Sequence, residues 1–184
     1  MPGTIKHNNR SSAGTLFVCG YPNLWDHIAT VRPHRIVSIL GPNDHAEWPS
    51  VTGVDHLRLE IDDVQRPCSG FVHATETHIR QLLTFLREWT PLERLLIHCW
   101  AGSSRSTAAA LAAIAVRHLG REFEAATMLR ATAPQARPNE LMCRLADNVM
   151  GLEGRLVRAV EAMPEPRGVA GTDLIRIRNL RGLV

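Results

Sequence analysis

The sequence predicts an α/β fold of three layers, in which a mostly parallel central sheet has helices on both faces. Short apolar runs of strand length alternate along the chain with longer segments of helical period. This alternation favours parallel strands joined by helical crossovers, and such sheets are buried on both faces. At 184 residues the chain has the size of one domain and is long enough to form a substantial core.

Apolar runs bounded by turn residues predict four buried strands. They cover residues 16–19, 35–40, 54–61 and 95–98. The turn-rich sequence Gly41–Asp44 closes the second strand, and a loop from Asp62 to Gly70 follows the third. Residues 173–178 alternate in polarity, which predicts an edge strand or a frayed terminus. We divide the chain into one domain, residues 1–163, and a C-terminal tail, residues 164–184.

Six segments have the character of helices. They cover about residues 23–30, 71–89, 104–119, 121–132, 139–150 and 152–163. The second shows the clearest amphipathic spacing, because its large apolar side chains recur on one face: Ile79, Leu82, Leu83 and Leu86. The third begins with a run of small residues, Thr107–Ile114.

Composition and charge argue against several classes of function. The formal net charge is +3, and basic residues are not clustered before the tail, so no nucleic-acid partner is predicted. No apolar run approaches the roughly 20 residues of a membrane span. Residues 1–13 lack the apolar core of a signal peptide. We therefore expect a cytoplasmic protein without a membrane span, whereas the oligomeric state stays open.

The four cysteines show neither a CxxC pair nor a zinc-ligand spacing. They are Cys19, Cys68, Cys99 and Cys143. An even number of cysteines permits disulfides, but a chain of this length that uses a cysteine in its reduced form is typical of a reducing compartment. We interpret Cys68 as a bystander; the alternative is that it reaches Cys99 and pairs with it under oxidation.

The segment from His98 to Ser106 combines a nucleophile with an anion site. The apolar run Leu95–Ile97 predicts a buried strand before it, and the small-residue run predicts a helix after it. A helix N-terminus presents unpaired N–H groups and a positive dipole end, which together bind phosphate. The same field stabilises a thiolate. Phosphate-ester cleavage is the chemistry that needs both features in one loop.

This segment also resembles a family signature. Cys99, five intervening residues, then Arg105 and Ser106, with His98 in front, is similar to the motif of the cysteine-dependent protein tyrosine phosphatases, above all the dual-specificity-like branch and its bacterial relatives. The resemblance covers roughly residues 16–150 and is tight only over 98–110. It implies the phosphotyrosine phosphatase-like fold, a phosphorylated protein or peptide as substrate, a phosphocysteine intermediate, and no cofactor or metal.

The resemblance and general chemistry give each motif residue a role. Cys99 attacks phosphorus as the thiolate. Arg105 grips two phosphate oxygens with its planar fork. Ser106 donates a hydrogen bond to the cysteine sulfur, and His98 orders the loop as a supporting residue. Backbone N–H groups surround the phosphate, and they come from Trp100, Ala101, Gly102, Ser103, Ser104 and Arg105.

The leaving group needs a proton, so a carboxylic acid should face the loop. Asp62 and Asp63 follow the third strand. In similar proteins the acid immediately precedes a Val, Ile or Thr, which selects Asp63 before Val64 and leaves Asp62 as the alternative. Asn139 follows a proline and is predicted to cap a helix. Alternatively, as in similar proteins, it braces the phosphate loop, residues 99–105. In neither case does it take part in catalysis.

The loop also bears on the substrate. Similar proteins that act on phosphoinositides often carry lysines in this loop, so its lack of lysine argues against inositol phosphates. The tyrosine-bearing recognition loop of the classical tyrosine-specific members has no counterpart here, since the single tyrosine of the chain is Tyr21. By analogy we expect a shallow pocket for phosphotyrosine, with phosphoserine and phosphothreonine as the dual-specificity alternative. Two other functions stay open: a phosphatase-like module that binds phosphoproteins, and a rhodanese-like sulfurtransferase with a persulfide on Cys99.

Overall fold

In the computed structural model, residues 15–90, 92–169 and 173–177 are described. The first 14 residues of the predicted domain, and residues 170–172 and 178–184 of the predicted tail, lie outside this set. The described strands are β1 (Leu16–Gly20), β2 (Arg35–Leu40), β3 (Asp55–Glu60), β4 (Leu95–Cys99) and β5 (Ile175–Ile177). The described helices are α1 (Leu24–Val31), α2 (Glu76–Glu88), α3 (Arg105–Arg117), α4 (Glu122–Thr132), α5 (Glu140–Met150) and α6 (Arg155–Glu161).

The five strands form one sheet in the order β3-β2-β4-β1-β5. The pairs among β1 to β4 are parallel, and β5 joins β1 as an antiparallel edge strand. This confirms the predicted mostly parallel sheet. In the register of the sheet Cys99 lies beside Gly20 on one side and Ile39 on the other. The carboxyl ends of three strands therefore meet at one edge, where the loops after them converge.

Helices cover both faces of the sheet, as predicted. The smaller layer is α1, which packs with Phe17, Ile36 and Leu96. The larger layer contains α2 to α6 and the alternate side chains of the same strands. Within it α3 contacts α2, α4 and α5, and residues 105–115 are all buried. The run of alanines in α3 fits this central position, because small side chains let neighbouring helices approach closely.

Two predicted helices are longer than the observed ones by five residues or more. The helix expected over 71–89 begins at Glu76, because Thr75 caps it and the backbone N–H of Val72 is held by the Asp62 carboxylate. The helix expected over 152–163 spans only Arg155–Glu161. Its first turn is delayed because residues 151, 153 and 154 adopt positive φ. In these places capping and tertiary contacts prevail over hydrophobic periodicity.

The tail contributes a strand to the sheet: the alternation over 173–178 corresponds to β5, whose last predicted residue, 178, lies outside the described set. None of the helices described here has the length and apolar character needed to cross a membrane.

Candidate active site

The loop between β4 and α3 is the centre of the candidate site. Cys99 is the last residue of β4, and Arg105 is the first residue of α3. Between them Gly102 adopts φ +71°, and a Cβ at this position would lie 2.5 Å from the Gly20 backbone nitrogen. Only glycine accepts both the left-handed conformation and this close approach. The loop is thereby pressed against the end of β1.

The sulfur of Cys99 is buried and has two hydrogen-bond partners. The backbone N–H of Gly102 lies 3.3 Å from Sγ, and the Ser106 hydroxyl lies 3.2 Å from it. Hydrogen bonds to a charged form favour that form. The structure therefore places Ser106 beside the sulfur, where it can donate to a thiolate.

Loop carbonyls are occupied by groups outside the loop. The carbonyl oxygen of Trp100 accepts from the backbone N–H of Tyr21 at 2.9 Å, and that of Ser103 accepts from the N–H of Arg137 at 2.7 Å. The Thr107 hydroxyl lies 2.6 Å from the same Ser103 oxygen. Because these carbonyls are bonded elsewhere, they do not oppose an anion bound by the N–H groups of the loop.

Arg105 is 2% exposed, and its five N–H donors divide into two sets. Nη1 donates to Asp44 Oδ2 at 2.6 Å and to the Ile61 carbonyl at 2.7 Å, while Nη2 donates to Asp44 Oδ1 at 3.1 Å. Buried Nε has no hydrogen-bond partner, and Asp63 Oδ2 lies 3.9 Å from it. The remaining N–H groups, one on Nε and one on Nη2, lie on the same edge of the guanidinium plane. This edge has the geometry that grips two oxygens of a phosphate.

The charge of Arg105 is secured by its neighbours. Burial alone lowers the pKa of a guanidinium, but the hydrogen bonds from Arg105 to Asp44 and the negative charges of Cys99, Asp44 and Asp63 outweigh it and raise the pKa. Sequence reasoning missed Asp44, which lies within the turn-rich Gly41–Asp44 segment. A lone aspartate in a turn gives no signal of a partner 61 residues away.

Asp63 lies at the edge of the same loop. Its Oδ1 accepts from the Ser104 hydroxyl at 2.7 Å and from the Asn139 side-chain amide at 2.9 Å. Its Oδ2 lies 3.9 Å from Nε of Arg105, on the free edge of the guanidinium. With Oδ1 fixed by two donors, Oδ2 is the oxygen available to carry a proton toward a bound phosphate ester.

Asp62 occupies a different environment. It is 3% exposed, and its carboxylate accepts hydrogen bonds from the backbone N–H and side chain of Asn43 and from the N–H of Val72. A Cβ at Gly41 would lie 2.1 Å from its Oδ1, so the turn after β2 is packed directly against it. These contacts give Asp62 a structural role and support Asp63 as the acid.

Asn139 joins three parts of the site. Its Oδ1 accepts from the N–H of Met142 and so caps α5, as predicted, and its backbone N–H reaches the Ser104 carbonyl at 3.3 Å. Its side-chain amide donates to Asp63 and to the Val64 carbonyl. The contact with the acid was not foreseen, because it joins segments more than 70 residues apart.

His98 is completely buried behind the loop. Its Nε2 lies 2.5 Å from the Ser38 hydroxyl, which also lies 2.7 Å from Nε2 of His56. Burial lowers the pKa of His98 to about 3, and the nearby His56 and Arg105 act in the same direction. The backbone of Cys99 opposes this shift, but its effect is smaller. Burial and Arg58 lower the pKa of His56 to about 4. Both rings are therefore neutral near pH 7.

The structure thus brings together the predicted nucleophile, arginine, serine and acid, with His98 behind them. Cys68, the bystander of the sequence analysis, is exposed in the loop after Asp63. In the described part of the chain, no three His, Cys, Asp or Glu side chains are grouped so that they could hold a metal ion.

Searches with the sequence find no matching family model. No curated protein matches it either. The fold does match solved structures. A mouse putative dual specificity phosphatase superposes with a TM-score of 0.54 at 18% identity, over 85% of this chain and 98% of that one. The chain has the dual-specificity phosphatase fold.

Two further structures share this phosphatase fold. The Yvh1 phosphatase domain from Chaetomium thermophilum gives a TM-score of 0.54 at 22% identity, over 81% of this chain and 96% of that one. The human tyrosine phosphatase-like serine/threonine/tyrosine-interacting protein gives a TM-score of 0.61 at 16% identity, over 75% of this chain and 92% of that one. The predicted resemblance is confirmed at the level of the fold, and the roles of the site residues stay predictions.

Proposed function

We propose that this chain is a cysteine-dependent protein phosphatase that hydrolyses phosphotyrosine through a phosphocysteine intermediate. With dual specificity, the same chemistry would also hydrolyse phosphoserine and phosphothreonine. One observation carries the proposal: the Cys99 sulfur, the edge of Arg105 that makes no hydrogen bond and Oδ2 of Asp63 meet at the loop between β4 and α3. The similarity of the fold to dual-specificity phosphatases supports it.

In the first step the Cys99 thiolate attacks phosphorus, and the bond between phosphorus and the ester oxygen breaks. The proton on Oδ2 of Asp63 passes to the departing oxygen, so the leaving group departs as a neutral alcohol or phenol. Arg105 and the loop N–H groups bind the equatorial oxygens as charge develops on them.

In the second step a water molecule attacks the phosphocysteine. Asp63, now a carboxylate, accepts a proton from this water, and the bond between phosphorus and sulfur breaks. The sulfur leaves as a thiolate, to which Ser106 and the Gly102 N–H can donate. Inorganic phosphate is released, and the acid and the nucleophile regain their starting protonation states.

A thiolate nucleophile operates in a reducing compartment, which supports the cytoplasmic location proposed from the sequence. The partner is a phosphorylated protein or peptide. Side chains and backbone N–H groups of this chain, with water, supply every group that the proposed chemistry uses, so hydrolysis should proceed without added metal.

The test is hydrolysis of para-nitrophenyl phosphate by the reduced protein without metal. Cys99→Ser should abolish turnover, whereas Cys68→Ser, which alters an exposed thiol outside the loop, should leave it intact. Asp63→Asn should lower turnover by about 10²- to 10⁴-fold with an alkyl phosphate. The loss should be smaller with para-nitrophenyl phosphate, because that leaving group needs less protonation. Asp62→Asn should lower stability more than it lowers the rate of the chemical step.

Three results would contradict the proposal. Turnover that persists in Cys99→Ser excludes the thiolate mechanism. Absence of turnover in the wild type, together with phosphopeptide binding, favours a phosphoprotein-binding module. Formation of thiocyanate from thiosulfate and cyanide, without phosphatase activity, identifies a sulfurtransferase.

A further inference from the structure

Two aromatic rings lie beside the phosphate loop and take no part in the proposed chemistry. Trp100 follows the nucleophile directly, and its ring stacks on Tyr21 with centroids 5.4 Å apart and an interplanar angle of 18°. Trp100 is 42% exposed. Leaving indole surface in water forgoes the free energy gained when apolar surface is buried. Other aromatic rings, such as Trp25, are also exposed, so the feature that marks Trp100 for contact with a ligand is its place directly after the nucleophile.

Tyr21 is fixed at both ends and can hold the indole in place. Its backbone N–H donates to the Trp100 carbonyl at 2.9 Å. Its hydroxyl accepts from the backbone N–H of Glu47 at 3.1 Å, in the segment after β2. A ring positioned before the ligand arrives loses little conformational freedom on binding.

The remaining loop side chains are small. Ala101 and Gly102 reach no further than a methyl group, and Ser103 and Ser104 are each 7% exposed. Trp100 is thus the one side chain between Cys99 and Arg105 that is large enough to contact the group attached to a bound phosphate.

We propose that Trp100, held by Tyr21, is the specificity-determining side chain that binds the ring of an aryl phosphate. The inference rests on the proposed function and deepens it, since it makes phosphotyrosine the preferred substrate over phosphoserine and phosphothreonine. Offset-stacked and edge-to-face aromatic pairs are favourable beyond the area that they bury. An alkyl phosphate has no ring and gains nothing from the indole.

The experiment compares a phosphotyrosine peptide with phosphoserine and phosphothreonine peptides of the same sequence. We expect Trp100→Ala to lower the ratio of kcat/KM for the phosphotyrosine peptide to kcat/KM for the others by about 3- to 10-fold. Trp100→Phe retains a ring and should keep most of the preference. Trp25→Ala is the matched control, because Trp25 is 52% exposed on α1, outside the loop. Using the ratio between variant and wild type removes the different intrinsic reactivity of aryl and alkyl esters.

Binding separates this proposal from the function on which it rests. In a Cys99→Ser background, which cannot form the phosphocysteine, the peptide dissociation constants report recognition alone. A preference for phosphotyrosine that Trp100→Ala removes supports the proposal, even where the wild type shows no turnover and the proposed function fails. Equal affinities for the three peptides, or an equal loss for all of them in Trp100→Ala, overturn it and leave the stacked pair as a purely structural feature of the loop.

Discussion

Replacement of Asp44 by asparagine tests how Arg105 is held. Both Asp44 oxygens accept from the guanidinium, and the two side chains are 14% and 2% exposed. Asparagine keeps one acceptor oxygen and turns an N–H group toward the guanidinium in place of the other. The substitution therefore loses one charge-assisted hydrogen bond and the carboxylate that is hydrogen-bonded to the buried cation, so that Asp63, 3.9 Å from Nε, is the carboxylate that remains paired with it.

The magnitude follows from the burial of this pair. Removing one partner of a buried ion pair costs about 3–5 kcal/mol. The Ile61 carbonyl still accepts from Nη1 in the variant, so we expect the lower end, about 3 kcal/mol of unfolding free energy. With a urea slope of about 2 kcal/mol per molar, the unfolding midpoint should fall by about 1.5 M. The misplaced fork should also lower kcat/KM by about 10²-fold and weaken inhibition by vanadate.

Asp55→Asn is the matched control for this experiment. Asp55 also accepts from an arginine fork, that of Arg35, but it is 68% exposed and far from the loop. Exposed pairs contribute about 0–1 kcal/mol, so its urea midpoint should fall by less than about 0.5 M, with kcat/KM unchanged. If Asp44→Asn behaves like Asp55→Asn in both assays, Asp44 does not position Arg105 and the division of its donors is wrong.

Two further predictions concern the loop and its support. Gly102→Ala should lower stability by more than about 2 kcal/mol and abolish turnover, because the left-handed conformation and the contact with Gly20 act together. Gly70 also has a positive φ, +83°, but a Cβ there would meet open space, so Gly70→Ala is the control for the left-handed conformation alone. In the same urea titration it should lower the free energy of unfolding by only about 1–2 kcal/mol. Equal losses in the two variants would exclude the contact with Gly20 as a cause. The pKa of His98, lowered from 6.5 to about 3 in the fold, means that below pH 6.5 the unfolded chain binds a proton that the folded chain does not. The contribution of neutral His98 to the free energy of unfolding is present above pH 6.5 and should fall by about 2 kcal/mol between pH 7 and pH 5. His98→Gln should remove this part of the pH dependence. If wild type and variant show the same pH dependence in urea titrations, the assignment to His98 is wrong.

The sequence predicted those features that depend on local patterns. The strand before Cys99 and the helix after it follow from an apolar run and a run of small residues, and the loop between them contains a glycine, Gly102, at the position with positive φ. The ends of helices were less predictable. The segment before Glu76 has helical periodicity, but Asp62 holds the N–H of Val72, and Thr75 caps the helix instead. Such contacts are visible only once the chain is folded.

The missed residues have a common cause. Asp44 and Ser38 reach the site from β2 and the turn after it, and β2 neighbours β4 only because of the strand order. A parallel sheet allows several strand orders for one sequence of elements, and periodicity does not distinguish them. The partners of Arg105 and His98, each about 60 residues away, therefore could not be assigned from the sequence.

In the proposed mechanism, the charges around the loop link the binding of phosphate to the proton on Asp63. Asp44 already balances the positive charge of Arg105, so the thiolate of Cys99 leaves the side chains of the site net negative. Ionised Asp63, whose Oδ2 lies on the free edge of Arg105, would add a further negative charge where a phosphate oxygen should bind. The N-terminus of α3 offers only about half of one positive charge in compensation. We therefore expect phosphate esters to bind best in the form that the first proposed step requires, in which Asp63 carries a proton. In the proposed mechanism Asp44 thus has a second effect, because by neutralising Arg105 it makes ester binding depend on the protonation of Asp63.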